Sequence, residues 1–108
     1  MIVVIFEVAI NPDRNEWYYE LAAELRKQLE NVDGFLSIER FQSLNDDNKY
    51  VSLSFWRDRD AVDSWYQVRG HREAQMEGRD GVFLDYRIRV ANVFRDYDMA
   101  QGRPEHVS

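Results

Sequence analysis

A change in the apolar period close to Asp13 constrains the fold more than any other feature of the chain. Residues Ile2 to Ile10, "IVVIFEVAI", are β-branched and apolar almost throughout, with Glu7 as the single interruption. That composition suits a strand covered on both faces. Asn11 to Asp13 breaks the run, with Pro12 where a first helical turn tolerates it and Asn11 where its side chain can cap. From there Tyr18, Leu21, Ala22, Leu25, Leu29 and Val32 fall on one helical stripe, while Glu20, Glu24, Arg26, Lys27 and Glu30 lie away from it. The switch predicts a strand followed by an amphipathic helix lying on a sheet, ended by Asp33-Gly34.

The remaining chain continues the alternation of periods. Phe35 to Gln42 reads as a second strand and Tyr50 to Arg57 as a third, joined by the polar "SLNDDNK" as a hairpin loop. Asp46-Asp47 in that loop lacks the spaced oxygens and the glycine of a calcium loop and is read as a turn. In the third strand Val51, Leu53 and Phe55 point one way, and Tyr50, Ser52, Ser54 and Trp56 the other, so both faces carry bulky groups. Arg57 to Arg69 is expected to be a second helix with Ala61, Val62, Trp65 and Tyr66 inward, kinked or ended by Gly70. His71 to Arg79 reads as a further short helix and Val82 to Tyr97 as a long last strand.

The order strand, helix, strand, strand, helix, strand predicts an α+β, ferredoxin-like βαββαβ sheet with its helices on one face. Residues 1–98 form the expected domain and 99–108 a flexible C-terminal tail, which sets His106 aside. The strands supply apolar groups to both faces, so the face without helices needs a cover. A second copy packed sheet to sheet would give a homodimer, a dimeric α+β barrel with helices outside.

Charge and composition narrow the partners. The chain has 108 residues, 14 Lys plus Arg against 20 Asp plus Glu, and a net charge of -6, which argues against a nucleic-acid backbone as partner. It has no cysteine, so thiolate metal sites and cysteine nucleophiles are excluded, and a reducing compartment fits. The apolar opening is too short to span a bilayer and has no basic region before it. These features predict a cytoplasmic protein with no membrane partner. From Phe55 onward the basic residues are nine arginines and no lysine. An arginine bias near aromatics favours an anionic or phenolic ligand, although Arg57, Asp58, Arg59 and Asp60 read as surface ion pairs.

No phosphate loop, nucleophile–base pair or metal cluster appears in the sequence. The natural site is then an apolar gap between helices and sheet, with Trp65 and Tyr66 above and Glu7, Trp56 or Tyr86 below. Which of these face the gap, and which a partner subunit, stays open at this point.

"DGFLSIERFQS", "KYVSLSFWRDRDAVDSWYQVRGHREAQ" and "DYRIRVANVFRDY" resemble the antibiotic biosynthesis monooxygenase (ABM) domain family of dimeric α+β barrels, over nearly the whole span from Ile2 to Tyr97. The resemblance implies the fold and the dimer, and it leaves activity open, because the family mixes cofactor-free oxygenases, heme-degrading enzymes and small proteins with no assigned reaction. The cofactor-free branch implies a monooxygenase that needs no cofactor and binds a small aromatic or quinone-like molecule. There Trp65, Tyr66 and Tyr86 would be flat walls, Glu7 or His71 the proton acceptor, and Arg72, Gln75 or Trp56 the donors. The heme-degrading branch implies a first-strand asparagine, a helix-two tryptophan and a histidine ten residues on. This chain has Glu7, Trp65 and Gln75 at those positions, and glutamine is a poor heme ligand. A third reading is a dimeric binding or stress-associated module without turnover. Each site residue also has a plainer role: Trp65 and Tyr66 as core, Glu7 as an edge charge, His71 as a helix cap.

Overall fold

A computed structural model describes residues 1–67 and 83–102. Within them run β1 (Ile2–Ile10), a 3-10 turn (Pro12–Arg14), α1 (Asn15–Leu29), β2 (Phe35–Gln42), β3 (Lys49–Trp56), a helix α2 over residues 59–67, and β4 (Phe83–Asn92). The four strands form one antiparallel sheet in the order β2-β3-β1-β4, with α1 and α2 on one face. This is the expected α+β ferredoxin-like arrangement.

The period-2 geometry of β1 decides which residues make the core. Ile2, Val4, Phe6, Val8 and Ile10 are buried beneath the helices, and the alternate residues are only half-buried. Antiparallel pairs share a face, so the register sets the rest of that layer: Trp56 opposite Ile2, Ser54 opposite Val4, Ser52 opposite Phe6 and Tyr50 opposite Val8. Two clusters result. Trp56, Ala61, Val62, Trp65, Leu29, Ile2 and Val4 pack at one end of the sheet, and Phe6, Val8, Ile10, Tyr18 and Tyr50 at the other. The opposite face of the sheet carries Val3, Ile5, Val51, Leu53 and Phe55, all half-buried, beside the exposed Phe41.

Asn11 caps as expected, but it serves the 3-10 turn, its Oδ1 accepting from Asp13 N–H at 3.1 Å. Helix α2 starts two residues later than expected because Asp58 Oδ1 accepts from Ala61 N–H at 2.9 Å, which makes Asp58 its cap. Arg57 belongs to neither β3 nor α2. Its N–H donates to Gly34 O at 2.7 Å, and its guanidinium holds Asp33 at 3.1 and 3.2 Å and Asp58 at 2.9 Å. The last strand is also shorter than the expected Val82 to Tyr97. Its pairing with β1 runs as far as Ile2 opposite Asn92, followed by one bond from Val93 N–H to Met1 O at 3.0 Å. The short helix expected over His71 to Arg79 lies outside the described residues.

The Arg57 guanidinium holds the carboxyls of Asp33 and Asp58 below the ordinary carboxylate range, mainly through its hydrogen bonds. A carboxylate with a depressed folded pKa stabilises fully above its unfolded value, about 3.9, and that contribution is lost as pH falls through the folded value. Both groups are exposed, so the effect is modest and screened by salt. Asp33→Asn should therefore lower Tm by a constant margin at about pH 5 and above, with the margin closing below about pH 4. A pH series of thermal melts reads this directly.

Candidate functional site

Strand β3 is central, and on its helix-facing side its large residues, Tyr50 and Trp56, stand at the two ends with Ser52 and Ser54 between them. Two hydroxymethyl groups cannot fill the layer that Val4 and Phe6 fill on the neighbouring strand, and a cavity of about 50 Å³ opens above them. Its floor is Phe6, Ile38, Arg40, Ser52, Ser54 and Trp56. Tyr18, Leu21, Ala22, Leu25 and Leu29 of α1 form its roof, and Trp65 and Phe83 close the sides. Helical spacing puts the α1 residues on one stripe, and strand alternation puts the floor residues on one face.

The aromatic walls support one another. Trp56 meets Phe35 edge-on at 5.3 Å between ring centres, and Trp65 in a tilted arrangement at 6.4 Å. The Trp56 indole N–H donates to Ser54 Oγ at 2.9 Å, so that buried donor is satisfied by the serine two residues back. At the other end Tyr18 packs on Tyr50 with ring centres 5.2 Å apart, and the Tyr19 and Tyr50 hydroxyls are 2.7 Å apart. That hydrogen bond, with burial, pushes the Tyr50 hydroxyl up to about 12. Burial also raises Tyr18, although the charge and hydrogen bond of Arg40 draw it partly back. Both phenols are therefore neutral at physiological pH.

The expected site residues separate under this geometry. Trp56 and Trp65 line the cavity together, and both are also buried core. Tyr66 lies outside the cavity, in an open groove with Ile2, Val62 and Val90 against the β4 edge. Tyr86 is on the helix-facing side but at the margin, 40% exposed, with its ring 5.9 Å from Phe6 and 6.3 Å from Phe83. Glu7 is on the opposite face of the sheet. Its odd position in β1 points it away from the helices, and its carboxylate pairs with the Arg89 guanidinium at 3.3 Å. His71, Arg72 and Gln75 fall outside the described residues.

Besides its aliphatic and phenylalanine lining, four polar cavity residues escape the sequence reading of the site: Tyr18, Arg40, Ser52 and Ser54. The serines do leave a signal, since small polar residues alternating on the buried side of a central strand mark a gap in the core. Arg40 leaves none, because a charged residue in "FLSIERFQ" reads as solvent-facing until register places it across from Ser52. Among the described residues no group of three or more His, Asp or Glu side chains could hold a metal ion. Nor is any described helix long and apolar enough to cross a membrane.

Comparison with known proteins agrees with the fold. The sequence pattern described as "Antibiotic biosynthesis monooxygenase" matches residues 1–77. A protein of Pyricularia oryzae named jasmonate monooxygenase ABM is 42% identical over 93 residues, which are 86% of this chain and 43% of that protein. The chain thus spans less than half the length of that relative. Among solved structures, one from Deinococcus radiodurans, described as a candidate antibiotic biosynthesis monooxygenase, superposes with a TM-score of 0.77 at 12% identity over 92% of this chain and 98% of that one. SnoaB, a cofactor-independent oxygenase of Streptomyces nogalater solved as a point mutant, superposes with a TM-score of 0.72 at 15% identity over 88% of this chain and 94% of that one. With its sequence pattern over residues 1–77 and its sheet-and-helix architecture both present, this chain belongs to the antibiotic biosynthesis monooxygenase family.

Proposed function

We propose that this chain is a cofactor-independent monooxygenase for a small ring compound, bound in the cavity beneath α1. The observation that carries the proposal is the pairing of Trp56 and Trp65 around a gap floored by Ser52 and Ser54. Flat apolar walls with a few hydrogen-bonding groups are what a ring with oxygen substituents needs. In the balanced reaction a ring methylene is oxidised by O2 to a carbonyl, and the second oxygen atom leaves as water. The substrate supplies all the electrons once a base has taken its proton. Glu7 is on the far face of the sheet and paired with Arg89, which leaves His71 as the candidate base. At about 50 Å³ the free space holds a few waters, so a ring enters only as side chains around it move. The name of the Pyricularia oryzae relative adds jasmonate to the phenols and quinones worth trying.

An oxygen electrode and tryptophan fluorescence test this together. A substrate should quench the buried emission of Trp56 and Trp65 rather than that of the half-exposed Trp17, and should consume one O2 per turnover. Trp65→Ala should lower kcat/KM by roughly 10- to 100-fold, and Trp65→Phe, which keeps a flat wall, by much less. Quenching without oxygen uptake for every ligand would favour a binding module. No quenching by any ligand would reject the cavity as the site.

The homodimer belongs to the same proposal. Val3, Ile5, Val51, Leu53, Phe55 and Phe41 make an apolar patch on the side of the sheet away from the helices, flanked by Glu39 and the Glu7–Arg89 pair. Soluble monomers seldom leave such a face in water, and a second sheet packed against it would remove it.

A further inference from the structure

We propose that Ser54, and not Trp56, is the donor that meets the ligand in the cavity. Trp56 spends its one polar hydrogen on holding the Ser54 hydroxyl, whose own hydrogen is left for an uncharged acceptor oxygen of the ligand. This rests on the cavity beneath α1 being the substrate site.

Trp56 is among the donors that the family resemblance implies, and its ring does line the cavity. An indole has a single polar atom, and that N–H donates to Ser54 Oγ at 2.9 Å. Trp56 is 1% exposed and Ser54 5%, so a ligand could draw on the indole only by breaking a hydrogen bond inside the core. The direction of the bond is fixed, because an indole nitrogen does not accept. Ser54 therefore gives a lone pair to Trp56 and keeps its O–H, and among the described residues this is the one hydrogen bond of its side chain. On the helix-facing side of β3, between Ser52 and Trp56, it is part of the cavity floor. A buried hydroxyl hydrogen needs an acceptor, and the space above it is where a ligand would bring one. Accepting from Trp56 also polarises the hydroxyl, which makes it a stronger donor than a serine standing alone.

The arrangement sorts ligands by the polar atom they carry. A carbonyl oxygen accepts and satisfies the Ser54 hydrogen. A ring that only donates, through an N–H, leaves that hydrogen bare, and so does a plain hydrocarbon ring. Ser52 is two residues along the same face, roughly 6.4–6.8 Å away by strand rise, and the Trp56 N–H holds Ser54 instead of it. The Ser52 hydroxyl can therefore turn to give or to accept, and the directional choice belongs to Ser54. The same donor serves the proposed reaction. When a base takes a proton from the ring carbon beside the carbonyl, the C–H pair forms a C=C bond and the carbonyl π pair moves onto oxygen. The Ser54 O–H meets the negative charge that forms there.

The test is calorimetric binding of three bicyclic probes of similar shape to the full chain: 1-indanone, which accepts, indole, which donates, and indane, which does neither. Ser54→Ala should weaken 1-indanone about 5- to 150-fold relative to indane, the range for a buried acceptor left without its donor. The loss should also appear when Ser54→Ala is made in a Trp56→Phe background, where no indole N–H can stand in for the missing hydroxyl. Ser54→Thr, which keeps the hydroxyl, should hold most of the preference, and Ser52→Ala should change it less than Ser54→Ala does. Trp56→Phe alone keeps a flat wall and lets Ser54 turn, so the gap between 1-indanone and indole should narrow. The carbonyl stretch of bound 1-indanone, read by infrared difference on the natural sequence, should lie below its value in hexane, and this needs no variant to fold. A ratio of 1-indanone to indane unchanged by Ser54→Ala in both backgrounds, a larger loss in Ser52→Ala, or a carbonyl stretch as in hexane overturns the Ser54 donor and leaves the cavity standing. Binding of none of the three overturns both.

Discussion

Replacing Gly34 with alanine is expected to cost the fold about 2–6 kcal/mol, a large part of the stability of a small domain. Two independent effects add. Gly34 has φ of +87°, a left-handed conformation that costs a residue with a Cβ about 1–3 kcal/mol. The new Cβ would also lie 2.6 Å from Ala61 Cβ, well inside contact distance. A methyl group has no rotamer that takes it out of the way, so α2 or the turn must move, at about 1–3 kcal/mol. The turn in question is the one Arg57 ties down through Gly34 O and Asp33. Chemical denaturation measures the total, and Ala61→Gly separates the parts. Added to Gly34→Ala it should restore the share due to the clash and none of the share due to φ. A double mutant no better than the single would mean that the close approach is not where the energy goes.

Leu53→Arg is expected to abolish the proposed dimer. Leu53 is at the middle of β3, between Ile5 of β1 and Glu39 of β2 in register, on the face the helices leave uncovered. A second sheet packed there would bury it fully. Burying a guanidinium in that interface costs several kcal/mol of desolvation, of which a pairing with the neighbouring Glu39 returns only part, enough to shift an association constant by roughly a hundredfold or more. In a monomer the same arginine would stand in water on a half-exposed face and cost little. Light scattering should give twice the chain mass for the natural sequence and the single chain mass for the variant, with the far-ultraviolet spectrum unchanged. A monomeric natural sequence at micromolar concentration would remove the barrel from the proposal.

The sequence discloses the elements better than their orientation. The β1 run, the α1 stripe and the hairpin are all local patterns, and each element appears where its pattern predicts it. The ends of β3 and β4 depend on distant backbone: β4 runs as far as Asn92 opposite Ile2 of β1, and β3 stops where Arg57 turns to Gly34. The assignment of faces is hidden for a different reason. Both sides of β3 carry bulky groups, so alternation alone does not say whether Tyr50 and Trp56 or Leu53 and Phe55 meet the helices. That ambiguity lets Glu7 read as a cleft residue, and register with β4 places it beside Arg87 and Arg89 instead. Arg40 shows the limit most clearly. Nothing in its local sequence reveals that its neighbour across the ladder is a serine with room above it.

The two serines have a consequence for how this chain can change. They occupy a well-protected strand-face, where a branched aliphatic side chain would add about 1.5–3 kcal/mol by burial. At Ser54 that gain is offset by loss of the acceptor for the buried Trp56 indole N–H, whereas Ser52 is open to such a change. Variants of this chain that tolerate heat unusually well are therefore the ones in which loss of the cavity, rather than damage to any reacting group, should be looked for first.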